Sequence, residues 1–258
     1  MNKFLLAAAS LWRREMVRFL RQRSRIVGAL GTPLLFWLFL GSGVGSSFRF
    51  GASNMSMEYR EYFFPGTIVL VLLFTSIFST ISIIEDRKEG FLQAVLVAPM
   101  PRSAFVLGKI LGGTTLAVIQ GVLFMFLAPI AGIPFMAIPA TLGMLGLVAF
   151  GLTALGYIIA WQMDSTQGFH AIMNLLLIPM WLLSGSVFPA SGAPQWLRFV
   201  ITINPLTYGL AAVRWSIYGL GKAAAMNLPS FAISLAISAA FAVSGFTAAI
   251  LLTRRTSS

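Results

Sequence analysis

The sequence predicts an all-α integral membrane protein, and three observations carry that prediction. The chain is 58% hydrophobic and only 10% charged, with a mean hydropathy of +0.87. A soluble domain of 258 residues has too little interior to hide so much apolar surface. The apolar residues also fall in long unbroken runs, near the roughly 20 residues that a membrane helix needs, and not in the short alternating segments of a β-barrel. Finally, the charges gather beside these runs. A net charge of +11 would suggest nucleic acid for a soluble chain. Beside apolar spans it fits orientation and lipid headgroups, so membrane lipid is an expected partner and nucleic acid is not. Cysteine is absent, which excludes disulfides, thiol catalysis and cysteine metal sites.

The whole chain, 1–258, reads as one transmembrane domain: an amphipathic opening (1–25), a six-span bundle (26–252) and a short tail (253–258). In the opening, Leu5, Ala8, Trp12, Met16 and Phe19 recur at helical spacing, and Arg14, Arg18, Arg21 and Arg25 recur on another face. That pattern suits a helix lying in the membrane interface with its arginines at phosphates; a solvated basic tail is the alternative. The basic region is too long for a signal peptide, and no cleavage is expected at the small residues Gly41–Ser47. A first span follows at about Ile26–Gly45, containing Pro33, then a polar loop Ser46–Glu61 and a second span at about Phe63–Ile84.

Glu85–Lys109 organises the rest. Its charges, Glu85, Asp86, Arg87, Lys88, Glu89, Arg102 and Lys109, flank a short apolar run, Phe91–Ala98, closed by Pro99 and Pro101. Such a run is too short to span and reads as a short helix outside the bilayer. Beyond it, Ile110–Trp161 carries no formal charge and is too long for one crossing. Gly132-Ile133-Pro134 and Pro139 divide it into spans near Val106–Ala131 and Ala137–Trp161. Gly108 and Gly112, like Gly41 and Gly45, form small-xxx-small pairs of the kind that lets helices approach. A fifth span is expected at about Phe169–Phe188. Pro189–Leu228 is too broken for a simple span and too apolar for a free loop, which suits re-entrant or interfacial helices; an interfacial loop anchored by Trp196 and Tyr208 is the alternative. The last span is about Pro229–Leu252.

Six spans put both termini on one side. Placing them in the cytoplasm assigns thirteen basic residues inside (Lys3, Arg13, Arg14, Arg18, Arg21, Arg23, Arg25, Arg87, Lys88, Arg102, Lys109, Arg254 and Arg255). Five fall outside (Arg49, Arg60, Arg198, Arg214 and Lys222). The positive-inside bias therefore makes the termini and the Glu85–Lys109 stretch cytoplasmic.

No catalytic constellation emerges. His170 is the only histidine, so neither an HExxH zinc site nor a Ser-His-Asp triad can form. A phosphate-binding loop needs Gly, four residues, then Gly-Lys-Ser/Thr. Gly108-Lys109 has Ser103 and Ile110 at the flanking positions, and Gly221-Lys222 has Ser216 and Ala223. Every acidic residue (Glu15, Glu58, Glu61, Glu85, Asp86, Glu89, Asp164) falls at a span end or in a loop, which leaves an ion-coupled pump short of carriers.

Two stretches then show a resemblance. Glu85, Gly90-Phe91-Leu92, Pro99 and Leu107-Gly108-Lys109 form the first. Leu183-Ser184-Gly185, Phe188-Pro189, Pro194-Gln195-Trp196-Leu197, Asn204-Pro205-Leu206-Thr207-Tyr208 and Arg214 form the second. In this order, and with the spans around them, the full chain resembles a permease subunit of the type-2 family of ATP-binding-cassette exporters. Two departures stand out: Gln93 replaces a frequent Glu, and Ala211 and Ala212 stand where an acidic partner for Arg214 is usual.

The resemblance implies a homodimer, in preference to a heterodimer, in a bacterial inner membrane. Two copies of a separate ATPase would bind ATP and Mg, and this chain would bind no cofactor or metal and have no catalytic residue of its own. The cargo would be a drug, lipid or lipid-linked glycan. Glu85, Gly90, Phe91, Leu92, Gln93, Leu96, Pro99, Arg102 and Lys109 would form the ATPase-coupling element, with the opening helix also resting on the ATPase. Phe188, Pro189, Trp196, Asn204, Pro205, Tyr208 and Arg214 would form a re-entrant gate at the outer end. An ion-coupled secondary transporter or channel is the alternative function.

Overall fold

A computed structural model describes residues 3–43, 57–133 and 138–255. Gly45, the polar segment 46–56 and Pro134 lie outside the described residues. Those described are helical almost throughout, with no strand among them. The order is α1 (Lys3–Arg21), α2 (Arg23–Gly43), α3 (Tyr59–Ser79), α4 (Ile81–Lys88), α5 (Phe91–Val97), α6 (Arg102–Met125), α7 (Ile138–Trp161), α8 (Thr166–Trp181), α9 (Gln195–Ile203), α10 (Pro205–Ala225) and α11 (Phe231–Arg255). Short 3₁₀ turns occupy Ala128–Ala131 and Ala190–Gly192, and a π turn, Leu182–Ser186, ends α8.

Six segments are long and apolar enough to cross a membrane: Ile26–Gly43, Tyr59–Lys88, Arg102–Met125, Ile138–Trp161, Thr166–Ser186 and Phe231–Arg255. The expected number of spans stands, and the boundaries at Glu85–Lys109 move. α4 carries the second span past its apolar part to Lys88, and α6 begins at Arg102. The charged residues expected in a loop therefore sit mostly on helix ends. Helical hydrogen bonding runs on past the apolar section because the charges there find partners.

α3 is the centre of the bundle. Eighteen of its 21 residues are buried, as an all-round apolar helix requires. α2, α6, α7 and α8 pack around it, and α11 lies against α7 and α10. α9 and α10 meet at 78°. The residue before a proline is pushed out of the helical region, so Asn204 is extended and Pro205 opens the new helix.

Contacts between helix ends fix the topology. Arg102 Nη1 donates to Arg254 O at 3.0 Å, and Arg87 Nη1 donates to Met163 O at 3.1 Å. The start of α6 and the ends of α4, α7 and α11 therefore share one face, with α1 alongside. At the opposite face, Trp215 Nε1 donates to Pro229 O at 2.9 Å and Lys222 pairs with Glu61 at 2.5 Å. Between those ends, Leu206 and Gly209 reach Val148 and Leu152, in the middle of α7. The α9–α10 hairpin thus dips into the bundle and returns to the face it left, as expected for Pro189–Leu228.

Candidate functional site

The shared face holds a buried ion cluster built on three helices. Asp86, fully buried at the end of the second span, accepts from Arg14 Nη2 at 2.6 Å, Arg14 Nη1 at 3.0 Å and Arg18 Nη1 at 2.7 Å. It also accepts from Lys109 Nζ. Lys109 Nζ further donates to Glu15 at 2.7 Å and Ser82 Oγ at 3.1 Å, so its three protons meet three acceptors. Arg18 completes the cluster against Glu85 at 3.0 Å and Glu89 at 3.1 Å. Burial works against the charge on Arg14, but the hydrogen bond and charge of Asp86 outweigh it and raise its pKa above the ordinary arginine value.

Close backbone approach makes this cluster possible. A Cβ on Gly108 would lie 2.8 Å from Ala8 O, and one on Gly112 would lie 2.7 Å from Glu15 Cβ. The Gly108/Gly112 pair is therefore the seat on which α1 rests. Two expectations about α1 change. Arg14 and Arg18 face protein carboxylates and not phosphates, and the stripe turned into the protein is Ala8, Leu11, Glu15 and Phe19. Trp12 instead lies at the side, its Nε1 donating to Thr115 Oγ1 at 3.0 Å.

The Phe91–Ala98 stretch hangs from this cluster. Gly90 takes a left-handed turn (φ 75°) that suits glycine, and α5 runs from there to the Pro99 and Pro101 turn. Arg14 lies over the Phe91 ring at 3.7 Å. Leu92 is buried in the permease's own core, so it anchors α5 instead of meeting a partner. Lys109, also expected in the ATPase-coupling element, is likewise interior. Gln93, Ala94 and Pro99 are exposed, and Val97 is 86% exposed; the Leu96 side chain lies outside the described ones. Arg102 ties α6 to α11, as noted, and Arg87 bonds Asp164 at 2.8 Å while its guanidinium caps the carbonyl end of α7.

At the opposite face the π turn leaves carbonyls that the helix no longer satisfies. Asn204 Nδ2 donates to Met180 O at 2.6 Å and Leu183 O at 3.0 Å, while its Oδ1 accepts from Leu206 N at 3.0 Å. Tyr62 hydroxyl donates to Gly185 O at 2.7 Å, and Arg214 Nη2 donates to the same oxygen at 3.0 Å. Trp181 Nε1 donates to Gly66 O at 2.7 Å. Asn204 and Arg214 of the expected gate thus latch the hairpin to the broken end of α8. Pro205 starts α10, Tyr208 hydroxyl donates to Thr202 O at 2.8 Å, and Phe188 and Pro189 are half-buried. Trp196 is exposed and takes no part in the latch. Sequence reasoning does not single out Tyr62, Glu15 or Asp86 as site residues, because the Arg14/Arg18 spacing on α1 reads as a face for lipid phosphates and names no carboxylate partner.

The described residues contain no group of His, Asp or Glu placed to hold a metal, and His170 packs beside Phe78. Glu15, Glu61 and Asp86 are buried, but each is ion-paired. The fold and its two ends define a multi-pass helical membrane protein with a re-entrant hairpin at one face and a docked amphipathic helix at the other.

Residues 7–218 match the family described as "ABC-2 type transporter", and the chain belongs to that family. It is similar to the putative transport permease ycf38 of Cyanophora paradoxa, 27% identical over 80% of this chain and 72% of that one. It is similar also to the inner membrane transport permease YadH of Escherichia coli K12, 23% identical over 85% and 86%. Nodulation protein J of Rhizobium leguminosarum bv. viciae is 23% identical over 81% and 82%. The chain is a multi-pass transport permease.

Proposed function

We propose that this chain is the membrane subunit of an ATP-driven exporter in a bacterial inner membrane, moving an amphipathic or hydrophobic molecule outward. ATP and Mg would be held by a separate ATPase, two copies of which serve two permease chains. The observation that carries this reading is α5: a short helix with an exposed edge, fixed by Leu92 and Arg14 to an ion cluster that grips α1, α4 and α6 together. A push on α5 reaches the second and third spans without slack, because the charges linking them are buried. The absence of an ATP-binding loop from the sequence calls for an outside energy source. The exposed apolar residues of α2, α8 and α11 supply faces for lipid and for a second permease chain.

Co-purification with a candidate ATPase tests the proposal. Val97→Asp places a charge on the exposed edge of α5, outside the permease's own core, and opposes burial in a partner's groove. The ATPase should come down with the native chain and be lost with Val97→Asp, while the thermal unfolding of the permease alone stays unchanged. Full retention by Val97→Asp, or no ATPase with the native chain, would sink the reading.

A further inference from the structure

We propose that the cavity between the re-entrant hairpin and the broken end of α8 binds one anionic oxygen group, a phosphate or carboxylate. The cavity measures about 260 Å³ and is lined by Arg198 and Arg214 with no acidic residue. Arg214 is only 3% exposed. It spends Nη2 on Gly185 O at 3.0 Å and Tyr62 O at 3.4 Å, lies 4.3 Å over the Tyr62 ring, and leaves Nε without a partner. Among the described residues no carboxylate pairs with it, since the neighbouring Glu61 is taken by Lys222.

A guanidinium cannot shed its proton in a protein, and a buried charge is ordinarily paired. Carbonyl dipoles and the ring face offset part of the burial, and they leave the cavity wall with a positive charge that no carboxylate balances. The hydroxyls around it cannot compete for the ligand. Ser184, Thr202 and Thr207 already donate to Trp181 O, Arg198 O and Ile201 O at 2.6, 2.8 and 2.6 Å. Arg198 Nε donates to Ala193 O at 2.8 Å, and with two guanidinium groups and no carboxylate on its lining the cavity favours an anion over a neutral alcohol or sugar. The volume lies below the roughly 300–1,000 Å³ of pockets that enclose a whole drug-sized ligand. It suits a headgroup with a few attached carbons, the rest of the molecule staying outside.

Thermal unfolding of the purified permease chain in neutral detergent tests the site, using inorganic phosphate against chloride at equal ionic strength. A second arm uses dihexanoylphosphatidic acid against dihexanoylphosphatidylcholine. A saturable upward shift with inorganic phosphate identifies a free oxyanion, and one confined to phosphatidic acid identifies a lipid headgroup. Ala211→Asp puts a carboxylate one turn before Arg214 on the cavity wall and should abolish the shift without lowering the unliganded melting temperature. Arg198→Gln, at an exposed position, should weaken binding about tenfold, the loss of one charge-assisted contact. No saturable shift in either arm, or a shift unchanged in both variants, overturns the proposal. The measurement needs no ATPase, so its failure would leave the coupling proposal standing, and failed co-purification would leave the anion site standing.

Discussion

Asp86 shows what a single residue decides here. It is a carboxylate with no exposure that faces three cations, and its charge is what makes the burial of Lys109 tolerable. Removing one member of a buried ionic group strands the others, at about 3–5 kcal/mol. Asp86→Asn should therefore lower the melting temperature of the detergent-solubilised chain markedly, whereas Asp164→Asn, whose side chain is 90% exposed, should leave it within error. Equal melting of the two variants would mean that the cluster contributes nothing net. Arg14 adds no pH sensitivity near neutrality. Its folded pKa is raised, so its contribution is full below the ordinary arginine value and is lost only as pH rises above it.

At the scale of elements, α1 illustrates how far periodicity goes. The spacing of apolar residues announced an amphipathic helix, and the helix is there. The wide apolar arc contains more than one stripe, however, and only the glycine seat on α6 selects the stripe led by Ala8 and Leu11. Gly108→Ala would drive its methyl into Ala8 O, a backbone atom that cannot yield without moving the helix. Trypsin should then cleave α1 at Arg13 and Arg14 several-fold faster than in the native chain; an unchanged rate would show that α1 is held by its ion pairs alone. The same limit applies to α5. Leu92 and Val97 look alike in the sequence, but one is core and the other surface, because a seven-residue helix has too little length for its pattern to reveal its buried side. The break at Asn204-Pro205 was legible, since proline chemistry acts on the residue before it whatever the surroundings.

At the scale of the whole molecule, the two faces must lie on opposite sides of the membrane. The native chain has no cysteine, so single replacements report position directly. An impermeant thiol reagent should label Trp196→Cys in intact cells and Val97→Cys only after permeabilisation. Labelling of both from one side would contradict the re-entrant path of α9 and α10.

The class of protein, the number of spans and the hairpin before the last span are all legible from the order of residues alone. Run length, proline and charge placement act locally and need no partner to be read. Packing in three dimensions is what brings Glu15, Asp86 and Lys109 into one buried cluster, seats α1 on Gly108 and Gly112, and closes Arg214 on the π turn of α8. Those outcomes depend on which helices become neighbours, and a contact between residues far apart in the chain leaves no mark on the spacing of either one.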